Sequence, residues 1–335
     1  MIKANAYGHG DVQVAKALMN VHVDGLAVAN MAEGLRLRLS GIDDIDTLLV
    51  LQGAKTELDW ELAKQHNLTV MVHSEAQLDT CLSDKIGPDQ RIWVKCDTGM
   101  HRVGLSPEVC LSRLPSVVEK FGVDGFVLCS HFACSDEVGL PFNMEQLSIL
   151  KNIQQKFGVQ WSMANSGGIM SIPESHGTWN RAGYMLYGNS PLMAPHPNND
   201  GLRNVMTFSA PIIAIRTVDA TESVGYSRQW YPEKNARVAT VAVGYADGYP
   251  RHVPSGTPVL LNGQRMPIAG RVSMDMLSID ITDYAGDVNI GDTVYLWGVD
   301  PDGNVLMVNE IAEHAGTIGY ELLTKVTTRP RKVYV

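Results

Sequence analysis

The first 200 residues alternate short apolar runs with amphipathic stretches, and this alternation restricts the fold more than any other feature of the chain. One strand and one helix recur roughly every 25 residues, which is the period of a (β/α)8 barrel. The pattern favours a TIM-like α/β barrel, with a doubly wound parallel sheet as the alternative. We predict eight strands, at Ile2-Lys3, Gly25–Ala29, Thr47–Leu51, Thr69–Val72, Arg91–Lys95, Gly125–Ser130, Gln160–Ala164 and Asn180–Ala182.

The stretches between these strands place apolar residues at helical spacing. The predicted helices are Asp11–Asn20, Ala32–Ser40, Glu57–His66, Glu75–Leu82, Glu108–Phe121 and Phe142–Phe157, followed by a short turn after Ser166.

The sequence changes character near Pro191–Gly201, where Pro, Asn, Asp and Gly residues are typical of a linker or long loop. Asn262-Gly263 predicts a hairpin turn further along, and Val308–His314 predicts a short helix. We therefore expect a barrel over 1–203 and a mostly β C-terminal domain over 204–335. The predicted strands of the second domain are Val205–Val218, Arg237–Val243, Thr257–Leu261, Met276–Ile281 and Thr293–Trp297.

Composition excludes several classes of protein. A net charge of -9 without a basic stripe argues against a nucleic-acid partner. No apolar run approaches the roughly 18 residues that a membrane-spanning helix needs, so we expect no membrane partner. The five cysteines form no Cys-x-x-Cys pair, and the start shows no signal segment, so we expect a reduced, cytoplasmic location.

The run from Met1 to Gly10 carries the strongest chemical signal. An apolar stub meets Lys3, small residues follow, and a glycine-marked turn precedes a predicted helix. This order places Lys3 at the C-terminal end of a strand, which is the catalytic face of a β/α barrel. A lysine there can hold an aldehyde cofactor as a Schiff base, because burial and nearby positive charge favour its neutral amine. Taken alone, Lys3 fits a surface lysine near a chain terminus equally well.

Other strand ends carry polar residues that could bind an anionic ligand. Lys95 and Arg102 flank a glycine-marked loop, and His131 follows the next strand. The run Asn165–Gly168 can present backbone N–H groups to an anion. Arg181 lies in the last predicted strand. Each of these features, taken singly, also fits a solvated loop, a packed histidine or ordinary turn chemistry.

Together, these motifs resemble the alanine racemase family, in family order and over nearly the whole chain. The first of them is long and specific, so chance agreement of the whole set is negligible. The matching pieces are Lys3–Gly10, Asp97–Met100 with Arg102, Ser130–Phe132, Asn165-Ser166, Arg181–Gly183 with Leu186–Gly188, Gly225–Ser227, Gly244–Gly248 and Gly270–Asp275.

The resemblance implies a pyridoxal phosphate enzyme that interconverts L-alanine and D-alanine and supplies D-alanine for peptidoglycan. It also implies a head-to-tail homodimer with shared active sites. Lys3 matches the Schiff-base lysine, which is the base on one face of the substrate. Tyr226 matches the second base, which reaches the active site of the partner subunit.

The same resemblance assigns the surrounding residues. Arg181 faces the pyridine nitrogen, and His131 supports it. Arg102 donates to the cofactor phenolate and the substrate carboxylate, and Lys95 is a candidate for carbamylation that would hold Arg102 in place. The cofactor-binding set also includes Tyr7, Asn165, Ser166, Gly183 and Tyr184. Met274 offers a backbone contact to the substrate carboxylate, Asp275 lines the site, and Tyr245 narrows the entrance.

The implied chemistry needs these residue types. Inversion of an α-carbon requires proton loss from one face and proton gain on the other, so two bases are needed. The external aldimine acidifies the Cα–H, and the cofactor is the electron sink. An arginine opposite the ring nitrogen cannot protonate it near neutral pH, which limits side reactions. A decarboxylase of the same barrel type would want an acid where Arg181 stands.

Two departures from the family pattern bear on activity. Family members carry more residues before the Schiff-base lysine, including a strand that joins the β domain, and a two-residue strand anchors its ladder poorly. The region Val326–Pro330 has no tyrosine where some members place a phosphate contact. The alternatives are therefore a broader-specificity amino-acid racemase, a non-catalytic carrier of pyridoxal phosphate, and a cofactor-binding protein inactivated by N-terminal truncation.

Overall fold

The computed structural model describes residues 1–335, which form two compact units. One unit comprises 1–186 and 190–202, and the other comprises 187–189 and 203–335. Each is described below by itself.

The first unit is built on a six-stranded parallel sheet. Its strands pair in the order β1-β2-β3-β4-β5-β6, which is also their order along the chain. A doubly wound sheet reverses its strand order at a switch point, so the sequential order favours the barrel and excludes that alternative. The strands are β1 (Gly25–Val28), β2 (Thr47–Val50), β3 (Thr69–Val72), β4 (Ile92–Lys95), β5 (Phe126–Cys129) and β6 (Gln160–Ser162).

Helices cover this sheet as the sequence pattern predicts. Five of them begin at a Ser, Thr or Asn whose side chain accepts an N–H from the first turn: Asn30, Thr56, Ser74, Ser106 and Asn165. The segment α1 (Lys3–Tyr7) is not among the predicted helices, and its Ala4–Ala6 dihedrals are left-handed. The helices are α2 (Asp11–Asn20), α3 (Met31–Leu39), α4 (Glu57–Gln65), α5 (Glu75–Leu82), α6 (Pro107–Phe121), α7 (Pro141–Phe157) and α8 (Ser166–Ser171).

Two of the eight expected strands are wrong. Ile2-Lys3 contributes one ladder bond, from the Ile2 N–H to the Ala27 carbonyl, before the chain turns at Lys3. The segment near 180–182 is likewise irregular, but its Arg181 N–H donates to the Ala164 carbonyl and its Ala182 carbonyl accepts from the Met1 nitrogen. Both segments are too short to form regular strands, yet these single bonds continue the ladder from the end of β6 to β1.

Alternate residues of the strands fill the barrel interior. Ala27, Leu49, Met71, Trp93 and Val127 are buried and pack together with Cys129. Side chains two apart on a strand share a face. Lys95, two residues beyond Trp93, therefore belongs to the inward-facing set at the C-terminal edge of β4.

The second unit is a mostly antiparallel β domain with two helices after its strands. The strands pair in the order β10-β9-β12-β7-β8-β11, and β13 pairs with β12. Asn262 and Gly263 both have positive φ and form the hairpin turn between β9 and β10, as predicted. The elements are β7 (Phe208–Val218), β8 (Ala236–Val241), β9 (Pro258–Leu261), β10 (Gln264–Pro267), β11 (Leu277–Asp280), β12 (Thr293–Val299), β13 (Val305–Leu306), α9 (Val308–His314) and α10 (Gly319–Lys325).

None of the helices has the length and apolar character that crossing a bilayer requires.

The loops that lead into β2 and β3 are joined by one buried arginine. The Arg38 guanidinium donates to backbone carbonyls on both loops, at Ile42, Asp43, Ile45, His66 and Asn67.

We expect Arg38→Met to lower the free energy of unfolding by about 3 kcal/mol, because it leaves these carbonyls without a charged donor. Urea unfolding would measure the loss. Arg113→Met removes a surface pair with Asp79 and should cost less than about 1 kcal/mol; equal losses in the two variants would contradict the assignment.

Candidate active site

The chain takes an uncommon backbone conformation directly after Lys3. Ala4, Asn5, Ala6 and Tyr7 all have φ between 52° and 55°, in the left-handed region. L-residues in that region cost about 1–2 kcal/mol each relative to a right-handed turn. A run of such residues persists only where the surroundings hold it, and such strain tends to lie at functional sites.

The loop after β4 brings Lys95 and Arg102 to the same strand end. The Leu105 N–H donates to the Lys95 carbonyl at 2.8 Å, which returns the chain to β4 after the loop. Within the loop, one Asp97 carboxylate oxygen accepts the backbone N–H groups of Gly99 and His101, each at 3.0 Å. The Lys95 side chain is buried, whereas Arg102 is exposed.

Arg181 is a buried cation whose described partners are neutral. Its guanidinium donates to the Ser162 hydroxyl and the Ser130 carbonyl, each at 2.6 Å, and to the Met163 carbonyl at 3.2 Å. It also lies 3.2 Å from Nδ1 of His131. Because a guanidinium can only donate, Nδ1 of His131 must be the acceptor.

Burial and the positive charge around this strand end lower the pKa values of His131, Lys3 and Lys95. Burial, then Arg181, Lys95, Arg102 and Lys3, hold the pKa of His131 well below its usual range, so this imidazole is neutral near neutral pH. Burial and then Arg102 lower the pKa of Lys3, while the Glu33 carboxylate opposes them. Burial also lowers the pKa of Lys95. The excess of positive charge suits an anionic ligand, and the neutral amine favoured at Lys3 suits attack on an aldehyde.

Two hydroxyl groups converge beside this cluster. A β-carbon on Gly183 would lie 2.9 Å from the Tyr7 hydroxyl oxygen and 3.6 Å from that of Ser166. The Ser166 hydroxyl also accepts the Gly183 N–H at 2.9 Å. Burial raises the pKa of Tyr7 to about 12, so its hydroxyl keeps the proton that it can donate to an anion. The glycine leaves room at this point, which is the arrangement expected of a phosphate-binding site.

Asn165 and Tyr184 are the sequence neighbours of Ser166 and Gly183, which form this candidate phosphate cradle together with Tyr7. The Asn165 side chain caps α8, because its oxygen accepts the Gly168 N–H at 3.0 Å and the Ser135 hydroxyl at 2.7 Å. Tyr184 is buried directly after Gly183. The structure thus brings the following predicted residues together in the first unit: Lys3, Tyr7, Lys95, Arg102, His131, Asn165, Ser166, Arg181, Gly183 and Tyr184.

The second unit carries the other predicted site residues on neighbouring loops. Tyr226 is 68% exposed and opens a short 3₁₀ turn, Tyr226–Arg228. Tyr245 donates its N–H to the Ser273 carbonyl, and the Met274 carbonyl accepts from the next residue, Ala246. These bonds fix Tyr245 beside Met274.

Arg329, for which the sequence indicates no role, joins these loops. It contacts the Asp247 carboxylate at 3.0 Å and the Asp275 carboxylate at 2.6 Å. Asp247 in turn accepts the Gly244 N–H at 2.9 Å. The region that lacks the expected tyrosine therefore supplies an arginine that ties the Tyr245 loop to the Met274 loop. Its partners lie more than 50 positions away along the chain, so no local sequence signal identifies the contact.

Comparisons with known proteins agree with this geometry. Residues 1–191 match the family profile "Alanine racemase, N-terminal domain", and residues 205–334 match "Alanine racemase, C-terminal domain". The alanine racemase of Shewanella sediminis is 41% identical over 335 residues, which cover 98% of this chain and 89% of that protein.

Solved structures show the same likeness. The biosynthetic alanine racemase from Pseudomonas aeruginosa superposes with a TM-score of 0.90 at 40% identity, over 98% of this chain and 89% of that one. The alanine racemase from Bartonella henselae, solved with covalently bound pyridoxal phosphate, has a TM-score of 0.88 at 26% identity, over 100% of this chain and 91% of that one. Together with the matched profiles, these findings show that the chain belongs to the alanine racemase family.

Proposed function

We propose that this protein interconverts L-alanine and D-alanine with pyridoxal phosphate, by a two-base mechanism. The observation that carries the proposal is the environment of Arg181, a buried cation bonded to hydroxyl, carbonyl and neutral imidazole groups. A decarboxylase of this barrel type would want a carboxylic acid at that place. We further propose that the enzyme works in the cytoplasm and that its D-alanine is used for peptidoglycan.

The residues of the first unit fit pyridoxal phosphate. When bound, the cofactor supplies an electron sink that acidifies the substrate Cα–H. Lys3 would attach it covalently through Nζ, and Arg181 would face its ring nitrogen with His131 behind. The phosphate would lie in the cradle formed by Tyr7, Asn165, Ser166, Gly183 and Tyr184. The hydroxyls that converge on Gly183 and the surrounding positive charge support this placement.

Two residues would move protons at the substrate Cα. Lys3 Nζ takes or returns the proton on one face, and the Tyr226 phenol does so on the other. Arg102 and the Met274 backbone would hold the substrate carboxylate. Tyr245 would narrow the entrance, and Asp275 would line the site. The bonds that join the loops of Tyr245 and Met274 support a common task for them.

Tyr226 would act in the active site of a second copy of the chain, in a head-to-tail homodimer. The exposure of its side chain in the single chain supports this proposal. Each active site would then combine Lys3 of one protomer with Tyr226 of the other.

The two bases should be separable by mutation. We expect Lys3→Ala to abolish racemisation and also the attachment of pyridoxal phosphate that borohydride reduction makes permanent. We expect Tyr226→Phe to keep the attached cofactor. Its kcat should fall by roughly 100-fold or more, and unequally for the two enantiomers, because only one face loses its proton carrier. Polarimetry from each enantiomer measures the rates. Equal and normal rates in Tyr226→Phe would show that the second base lies elsewhere.

A shared active site predicts complementation between inactive variants. In a mixture of Lys3→Ala and Tyr226→Phe chains, a heterodimer has one site with both lesions and one site with neither. We expect partial activity to return after subunit exchange, up to about a quarter of the wild-type value per chain for random pairing of equal amounts of the two chains. Heterodimers confirmed by differential tags but still inactive would contradict the shared site.

Lys95 should accept carbon dioxide. Its lowered pKa favours the neutral amine, whose nitrogen can add to the carbon of CO2 and release a proton, which gives an anionic carbamate beside Arg102 and Arg181. We expect a carbamate signal in the ¹³C NMR spectrum of protein equilibrated with ¹³C-bicarbonate, and its loss in Lys95→Ala. The same signal in Lys95→Ala would assign the carbamate to another amine.

A further inference from the structure

The Glu33 carboxylate holds the backbone on both sides of the strand end where Lys3 lies. One of its oxygens accepts the Ala4 N–H at 2.8 Å, and the other accepts the Ala29 N–H at 2.7 Å. Ala4 directly follows Lys3, and Ala29 directly follows β1. Both bonds are charge-assisted, which makes them stronger than bonds between neutral groups.

These bonds hold Lys3 between two anchors on the same strand. On one side, the Ile2 N–H donates to the Ala27 carbonyl of β1. On the other side, Glu33 ties Ala4 to Ala29, the residue directly after β1. Ala4 is also the first residue of the left-handed run, with φ 53° and ψ 50°. Glu33 therefore acts where the strained turn begins.

The helix that carries Glu33 is itself fixed against the Lys3 turn. The Glu33 N–H donates to the capping side chain of Asn30 at 3.0 Å, which anchors the first turn of α3. One turn later, Arg36 pairs with the buried Asp11 at the start of α2. Asp11 donates its N–H to the Asn5 side chain at 3.1 Å. One helix thus contacts both ends of the segment from Ala4 to Asp11.

Glu33 also counters the positive charge around Lys3. Burial and Arg102 lower the pKa of the Lys3 amine, and the Glu33 carboxylate raises it. Removal of this anion should therefore lower the pKa of Lys3 further and leave the amine neutral at lower pH.

We propose that Glu33 is a positioning residue of the racemase site: it transfers no proton itself, but fixes through the Ala4 N–H the direction in which Lys3 presents Nζ to cofactor and substrate. This inference rests on the proposed function and deepens it. Any carboxylate that only stabilised the fold would affect stability without a specific effect on Lys3.

The test uses the full chain loaded with pyridoxal phosphate and three variants. Glu33→Gln keeps the shape, removes the charge and turns an NH₂ group toward one of the two N–H donors. Glu33→Asp keeps the charge on a shorter side chain. Glu61→Gln makes the same change at an exposed position on α4 and is the matched control. The readouts are kcat and KM for both enantiomers at saturating cofactor, the melting temperature, and the pH dependence of borohydride fixation of the cofactor to Lys3.

We expect Glu33→Gln to lower kcat roughly 10- to 100-fold for both enantiomers with a smaller change in KM, because the base is misdirected. The midpoint of cofactor fixation should move to lower pH, because the anion that raises the pKa of Lys3 is gone. Glu33→Asp should return that midpoint toward the wild-type value and recover part of kcat. Glu61→Gln should match the wild type in every readout.

The inference is overturned if Glu33→Gln keeps wild-type kcat and fixation profile. It is equally overturned if Glu33→Gln only lowers the melting temperature and the cofactor occupancy, while the pH midpoint of cofactor fixation to Lys3 stays at the wild-type value. A wild-type chain that fixes the cofactor but forms no D-alanine refutes the proposed function instead. In that case the fixation profiles of the Glu33 variants still decide whether Glu33 acts on Lys3.

Discussion

The concentration of positive charge at one end of the barrel sets the chemistry of the rest of the site. Together with burial, the charges of Arg102 and Arg181 lower the pKa values of Lys95 and His131, and Arg102 lowers that of Lys3. Buried cations are costly unless they are paired or hydrogen-bonded. Here Arg181 is satisfied by hydroxyl and carbonyl oxygens, so its charge is not cancelled by an acid. The uncancelled charge favours an anionic ligand and a neutral Lys3, which are the two conditions that attachment of pyridoxal phosphate needs.

The left-handed turn after Lys3 is the second constraint, and it explains the composition of the first motif. Small side chains at Ala4 and Ala6 limit the steric cost of positive φ, and asparagine at position 5 tolerates that region better than most residues. Gly8 and Gly10 also have positive φ, which glycine adopts readily, and α2 begins directly after Gly10. The turn bends the chain away from β1 immediately after Lys3, so the lysine remains at the strand end.

Much of the fold follows from periodicity in the sequence. The bounds of β3, α2, α5 and α9 agree with the prediction to the residue; α5, for example, begins directly after the capping residue Ser74. Periodicity failed where hydrogen bonds rather than a run of apolar residues define the segment, as at Ile2-Lys3 and Asn180–Ala182. No range was predicted for strands β10 and β13 or for helix α10, since none of them has a distinct apolar period.

The candidate site likewise contains residues that could be predicted from the sequence and features that could not. Residues at or just beyond a strand end, such as Lys95 and His131, could be placed at one edge from the order of elements alone. The left-handed conformation of Ala4–Tyr7 could not, because alanine and tyrosine have no local preference for it. Contacts between residues that lie far apart along the chain could not be predicted from the sequence either. Glu33 reaches Ala4 across 29 positions, and Arg329 reaches Asp275 across 54.

The exchange of the substrate α-proton with solvent tests the central claim most directly. The full chain would be supplied with pyridoxal phosphate and L-alanine in D₂O, and the chirality and α-deuteration of the alanine would be followed together. Two-base racemisation predicts that D-alanine appears with deuterium at Cα, because the proton that is gained comes from a residue that has exchanged with solvent. Cofactor fixed to Lys3 while the alanine remains L and undeuterated would contradict the account and identify a cofactor carrier.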